Sequence, residues 1–301
     1  MGLEAYQSST RAQKVFEVGS NITKLDLVEV CFGETAAELD KTEIAQPAIS
    51  AASLGEFLYL EELGLRPDAG EGHSMGEIPL LAMAEVITLE SMFMLIKARA
   101  AATAKANTLR PGMMARVRGL SKEQIEEELS ELFESGRLTL TNFNARLQHM
   151  ISGDEDLVKQ AIETIKRKAG LVADMKGARI SRSRIQGAFH SPYHMQPAKQ
   201  SFNKTASYIR YSNPKFDVIL NNGLYLEELG LSNLPDYLVG QLVGSVLFSE
   251  STKRLIDDGI SNFIQVGDRP VLTDLIKEDY PEGVNIIKIQ KVNGEKDKPE
   301  S

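Results

Sequence analysis

Gly72-His73-Ser74-Met75-Gly76, with Glu77 directly behind it, is the stretch on which the reading of this chain turns. Gly-x-Ser-x-Gly is the pattern that presents a serine as a nucleophile on a sharp strand-to-helix turn, so Ser74 is a candidate covalent nucleophile for acyl transfer chemistry. The flanking glycines remove side chains that would block the turn or the incoming acyl group. The same five residues also fit a Gly-rich turn in which a serine caps an ordinary helix, so the rest of the chain has to decide.

Working outward, 301 residues of which 42% are hydrophobic can bury a large core, with room for a small inserted domain. The formal charge of -8, without any long Lys/Arg run, argues against a nucleic-acid partner and for small molecules or proteins. A single cysteine, Cys31, excludes an intramolecular disulfide and a Cys-rich metal site. No basic segment followed by an apolar one marks the N-terminus, and no apolar run approaches the roughly 20 residues of a membrane helix. The expectation is a cytoplasmic protein acting as a monomer without metal or cofactor. Asn293 to Ser301 is charged and contains proline, as expected of a flexible tail.

Residues 9–64 read mainly as helix, with a break at Gln46-Pro47, and an amphipathic pattern from Glu77 to about Ala106 reads as two more helices. Residues 112–187 change character. A strand at Met113 to Val117 precedes a helix from Ser121 to Glu134, capped by Ser121 and Gln124, and a strand at Leu138 to Phe143. A strand at His149 to Ser152, a helix from Glu155 to Lys168 and an extended segment from Ala178 to Ile185 complete a βαββαβ order, the ferredoxin-like split motif. Beyond it, helices and strands alternate again: a helix from Pro197 to Tyr208, a strand at Asp217 to Asn221, and helices near Leu234 to Val243 and Ser249 to Asp258. A strand at Asn262 to Val266 and a helix from Val271 to Lys277 follow. Alternation of this kind implies a parallel sheet flanked by helices. The fold class is therefore α/β, an α/β-hydrolase-like parallel-sheet core (1–111 and 188–292) interrupted by a ferredoxin-like subdomain (112–187), with 293–301 as tail.

A serine hydroxyl needs a general base, and the chain offers four histidines. His73 points away from the serine in a sharp turn, and His149 sits in a strand. His190 and His194 lie in Ala188-Phe189-His190-Ser191-Pro192-Tyr193-His194, and His190 is the candidate base. Arg99, on a helix beside Lys97, reads from the sequence as a solvated surface charge.

The order of further landmarks is specific. Gln46-Pro47-Ala48, Pro67-Asp68-Ala69, Gly72 to Glu77, Arg99 and Gly112-x-Met114-Ala115 are followed by Asn142-Phe143-Asn144, Gln148 and Ile151-Ser152-Gly153. Ala188 to Pro192, Gln241-Leu242 and Val266-Gly267 complete the series. In these residues the chain resembles the malonyl-CoA:acyl carrier protein transacylases and the related acyltransferase domains of polyketide synthases.

The resemblance implies that Ser74 becomes acylated, that His190 activates it and later deprotonates the carrier's phosphopantetheine thiol, and that Met75 N–H is one oxyanion-hole donor. It implies that Arg99 grips the free carboxylate of malonate, a task suited to a planar fork that stays charged. A backbone carbonyl within Ser245 to Leu247 would orient His190. Phe189 would restrict branching at the substrate's α-carbon, with core packing as its alternative, and Asn144 is a further substrate-binding candidate. Malonyl-CoA and acyl carrier protein are the implied partners, in fatty acid or polyketide biosynthesis.

The chain also departs from that family. Its members carry an N-terminal strand and a Gly-Gln-Gly-Ser-Gln segment upstream of the residues matched by Met1-Gly2, and that segment supplies the second oxyanion donor; Gln7 is no obvious substitute. Gly70-Glu71 replaces small apolar residues, and Glu71 is expected to have its pKa raised by apolar surroundings. Gly267-Asp268-Arg269-Pro270 replaces a Gly-Pro-Gly-type turn, and Tyr193-His194 carries one extra residue before Met195. Two competing readings follow. One is a serine hydrolase or thioesterase, disfavoured by Arg99 and by the absence of a histidine near the C-terminus; the other is a degenerate, non-catalytic protein that binds the carrier.

Overall fold

The computed structural model describes residues 2–33, 39–267 and 270–287. Four helices open the chain, α1 (Leu3–Ser8), α2 (Thr10–Thr23), α3 (Leu27–Phe32) and α4 (Thr42–Glu62), before a short strand, β1 (Ala69–Glu71). A single turn at Ser74–Gly76 leads into α5 (Glu77–Met83) and the long α6 (Leu89–Leu109). Then come β2 (Met113–Arg118), α7 (Lys122–Glu128), α8 (Ser130–Phe133), β3 (Leu138–Ala145), β4 (Gln148–Gly153), α9 (Glu155–Ala169) and β5 (Arg179–Arg182). The chain ends with α10 (Pro192–Ala206), β6 (Asp217–Ile219), α11 (Leu226–Leu229), α12 (Leu234–Gln241), α13 (Phe248–Asp257), β7 (Asn262–Ile264), α14 (Val271–Asp279) and β8 (Asn285–Ile287).

The expected break at Gln46-Pro47 does not occur: Pro47 lies inside the continuous α4. Its missing N–H forfeits one bond near the start of the helix. Burial of Ala48, Ala51, Ala52 and Leu54 along the same helix outweighs that loss. The helix expected over Ser121 to Glu134 is instead two pieces parted at Leu129, whose φ of -116° leaves the helical range. Its start is as read, with the reciprocal Ser121–Gln124 capping box in place. The helix expected from Pro197 begins earlier, at Pro192, because Ser191 accepts the His194 N–H as a cap and proline suits the first helical position.

Strands β2 to β5 form one antiparallel sheet in the order β3-β4-β2-β5, the arrangement of the ferredoxin-like motif. Its own core gathers Val117, Leu120, Ile125, Ile151, Val158 and Ile165. A larger core lies among α2, α4, α5, α6, α10 and α12. The parallel pairing expected of the main body is present in two separate pieces, β1 beside β6 and β7 beside β8. Between them runs a cavity of about 520 Å³ lined by Ala69, Gly70 and Glu71 on one side and Asn262, Phe263 and Ile264 on the other. Among the described residues no helix is long and apolar enough to cross a membrane. Asp268, Arg269, Met1 and the tail lie outside the described residues.

Candidate active site

Ser74 stands between β1 and α5, the strand-turn-helix setting that a nucleophile elbow requires. Its φ is 56°, a left-handed conformation that costs a residue with a side chain on the order of 1–3 kcal/mol. Gly72 makes the turn possible, since a Cβ there would lie 2.5 Å from the carbonyl carbon and oxygen of Gly76. A Cβ at Gly76 would meet nothing within 4 Å, so that side of the serine is open.

The strained backbone is held from the neighbouring strand. The parallel register pairs Glu71 with Ile219, which brings Asn221, just past the end of β6, alongside the elbow. Its Oδ1 accepts the Ser74 N–H at 2.7 Å, and its Nδ2 donates to the Gly72 carbonyl.

The sequence candidates converge around the Ser74 hydroxyl. His190 Nε2 lies 2.6 Å from Ser74 Oγ. His190 Nδ1 lies 3.0 Å from the carbonyl oxygens of both Gln241 and Gly244. Carbonyls only accept, so Nδ1 carries the proton, and the Nε2 lone pair is left to accept the serine O–H. The orienting carbonyls thus fall at Gln241 and Gly244, not within Ser245 to Leu247, because the chain bends back toward His190 as α12 ends. His190 also has a left-handed φ, of 62°, immediately before the Ser191 cap of α10. Burial, with Arg99 and His73 nearby, lowers its pKa to about 3, so the imidazole is neutral and free to take a proton.

Arg99 is 3% exposed, contrary to its reading as a surface charge. It shares the buried stripe of α6 with Met92, Leu95, Ile96 and Thr103. Nη2 donates to Ser74 Oγ at 3.2 Å and to Gln241 Oε1 at 3.4 Å, while Nη1 donates to Gln46 Oε1 at 2.8 Å. Burial lowers its pKa to about 10 and Glu77 opposes that fall, so the guanidinium is charged at neutral pH. These hydrogen-bond partners are all uncharged, which leaves the cation able to take a carboxylate beside the nucleophile.

Met75 occupies the second position of the Ser74–Gly76 turn, where a backbone N–H has no partner within the turn, as an oxyanion donor requires. His73 turns away from the hydroxyl: its Nε2 lies 2.7 Å from Asn144 Oδ1, and its ring packs on Phe248. Asn144 thus reaches the elbow through His73, from a part of β3 where the pairing register shifts. Phe189 is half-buried and packs against the larger core. His194 bonds to Ser191 and Asp154, and His149 to the Arg146 carbonyl, both apart from the serine.

Sequence reasoning missed the site roles of Gln46, Asn221 and Gln241. For Arg99 and Gln46 the helical spacing held a signal, since both fall on the apolar faces of their helices. Asn221 follows a strand end, the side of an α/β sheet where ligands bind. Among the described residues no group of three or more His, Cys, Asp or Glu side chains could hold a metal ion.

Compared with known proteins, the chain matches the acyl transferase domain family over residues 1–298. It is 28% identical over 282 residues to the malonyl CoA-acyl carrier protein transacylase of Staphylococcus aureus strain MRSA252, covering 92% of this chain and 87% of that protein. Its structure is similar to that of the malonyl CoA-acyl carrier protein transacylase of Clostridium perfringens (TM-score 0.85, 26% identity), covering 96% of this chain and 88% of that one. A malonyl-transacylase solved in complex with its type II polyketide synthase acyl-carrier protein is also similar (TM-score 0.83, 25% identity, 93% and 88% covered).

Proposed function

Because the chain belongs to the acyl transferase domain family, we propose that it moves a malonyl group from malonyl-CoA to the phosphopantetheine thiol of an acyl carrier protein, in fatty acid or polyketide biosynthesis. The observation that carries this reading is a buried guanidinium 3.2 Å from a serine hydroxyl that is itself 2.6 Å from a neutral imidazole. A fixed cation at that distance selects an acyl group with a free carboxylate, which malonyl has and acetyl lacks.

The reaction then runs in two balanced halves. Ser74 Oγ attacks the thioester carbonyl as its proton passes to His190 Nε2, and the Gln241 and Gly244 carbonyls stabilise the imidazolium. Met75 N–H donates to the oxyanion, an interaction for which loss of one such donor costs about 10² to 10³ in rate. Collapse breaks the C–S bond, and the departing thiolate takes the proton from His190 to leave coenzyme A. In the second half the carrier's thiol gives its proton to His190, and its sulfur attacks the malonyl ester. Ser74 Oγ departs with that proton. Arg99 holds the carboxylate through both halves, Phe189 borders the acyl group, and Asn144 holds the elbow through His73. We place the reaction in the cytoplasm, with the protein acting as a monomer and without metal or cofactor.

Incubation with radiolabelled malonyl-CoA tests this. Wild type is expected to give a stable labelled protein that passes its label to holo carrier protein, and Ser74→Ala to give none. Arg99→Ala is expected to slow malonylation about 10²-fold or more and acetylation far less. Label on Ser74→Ala, equal losses for both acyl groups, or rapid release of free malonate without transfer would each overturn the assignment, the last in favour of a hydrolase.

A further inference from the structure

Behind the serine lies a fully buried carboxylate, Glu77, that the mechanism above does not use. Three donors converge on it: the Asn221 backbone N–H at 2.7 Å, the Tyr237 hydroxyl at 2.6 Å and Gln241 Nε2 at 2.8 Å. Two of those donors belong to residues that hold the site. Asn221 clamps the elbow backbone. Gln241 Nε2 also donates to the Ser74 carbonyl at 2.7 Å, and its Oε1 accepts from Arg99. The Gln241 carbonyl accepts from His190.

We propose that Glu77 is a positioning residue for acyl transfer, whose ionised carboxylate fixes the orientation of the Gln241 amide and so seats Arg99 and the Ser74 backbone. The inference rests on the malonyl-transfer reading and deepens it. A carboxylate only accepts, so the Gln241 NH2 must face Glu77 and the Ser74 carbonyl, while its oxygen must face Arg99. A neutral group at position 77 carries a donor of its own, and one of the three inbound donors then loses its acceptor. The Asn221 N–H is backbone and cannot turn, whereas the Gln241 amide can. Turned over, it opposes NH2 to the guanidinium and oxygen to the Ser74 carbonyl, and Arg99 loses a partner beside the nucleophile.

The geometry gives the site a pH dependence that it would otherwise lack. Burial pushes the Glu77 carboxyl up to about 7, against the pull of Tyr237, Asn221, Gln241 and Arg99. The titratable groups around it are Tyr237 of α12, held well above the usual phenol range, Arg99 of α6, charged throughout, and the site histidines His73 and His190. Burial holds both histidines below the ordinary imidazole value, and at about 3 His190 lies outside the neutral range. Glu71 of β1, which packs on α5, is also pushed up, to about 8, so an acid limb in the rate near neutrality is assigned to Glu77 by its loss in Glu77→Gln and its persistence in Glu71→Gln.

The test is the rate of Ser74 acylation by labelled malonyl-CoA and acetyl-CoA between about pH 5.5 and 8.5, using the full chain. Wild type is expected to lose malonylation as pH falls through about 7. Tyr237→Phe removes one bond to the ionised form and should move that limb up by about one pH unit. Glu77→Gln should abolish the limb and slow malonylation at pH 8 about tenfold or more, with acetylation less affected. Should Glu77→Gln fail to fold, the direction of the Tyr237→Phe shift decides alone. A flat wild-type profile, a limb unmoved or moved down in Tyr237→Phe, or a limb that persists in Glu77→Gln overturns the positioning role while leaving malonyl transfer intact. A wild-type chain that takes no label at any pH removes both.

Discussion

Glu71 sits directly before the elbow, on the wall of the cavity between β1 and β7, and its carboxyl is poorly accommodated. Oε1 accepts from Thr252 at 2.8 Å, whereas Oε2 is buried with no hydrogen-bond partner among the described residues. Burial pushes its pKa up to about 8, which the Thr252 bond only partly offsets. An acid whose folded value is raised binds its proton in the folded state while the unfolded chain has already released it, so stability falls as pH rises from about 4.5 to about 8. Glu71→Gln keeps an acceptor for Thr252 and removes the titration. It is expected to be more stable than wild type at pH 8 by about 1–3 kcal/mol, with the gap closing toward pH 5. Denaturant unfolding of both proteins at the two pH values checks this; a gap independent of pH would show that Glu71 is not the group concerned.

At the scale of the elements, the strand-turn-helix unit around Ser74 separates two glycines that look alike in the sequence. A Cβ at Gly72 would also lie 2.6 Å from the Glu77 nitrogen, whereas one at Gly76, where φ is an ordinary -63°, would face open space. Gly72→Ala is therefore expected to lose about 1–3 kcal/mol of stability and most Ser74 labelling, because the elbow cannot close. Gly76→Ala should keep its melting temperature and slow acylation only, by crowding the open side of the serine. Equal melting temperatures for the two variants would contradict this account. The elbow itself was legible in the sequence because its Gly-x-Ser-x-Gly pattern lies within a few contiguous residues, whereas the Asn221 clamp that holds it comes from a distant strand end. The Gln46-Pro47 break was not legible, because burial of α4 prevails over the lost bond at Pro47. Nor was the hold on His190, since the Gln241 and Gly244 carbonyls come from the end of a helix and carry no side-chain signature.

Across the whole molecule, the ferredoxin-like order could be read from strand and helix periods within one contiguous block, whereas its attachment to the rest depends on contacts between distant positions. The Phe143 N–H donates to the Val246 carbonyl and the Val246 N–H to the Thr141 carbonyl, so β3 continues its pairing into the main body. One residue further along β3, Asn144 reaches His73 next to the nucleophile. This contact joins the small sheet to the elbow, and burial holds His73 below the ordinary imidazole value, so the ring must be satisfied as a neutral group. Asn144→Ala leaves His73 Nε2 without that partner, which is expected to cost about 1–3 kcal/mol. Because His73 precedes Ser74, the loss should also loosen the elbow and slow acylation of Ser74, while His73→Ala should make the further Asn144→Ala change nearly neutral. A double-mutant cycle read by denaturant unfolding and by Ser74 labelling measures the coupling. Strict additivity of the two substitutions in both readouts would mean that the small sheet and the elbow are held independently.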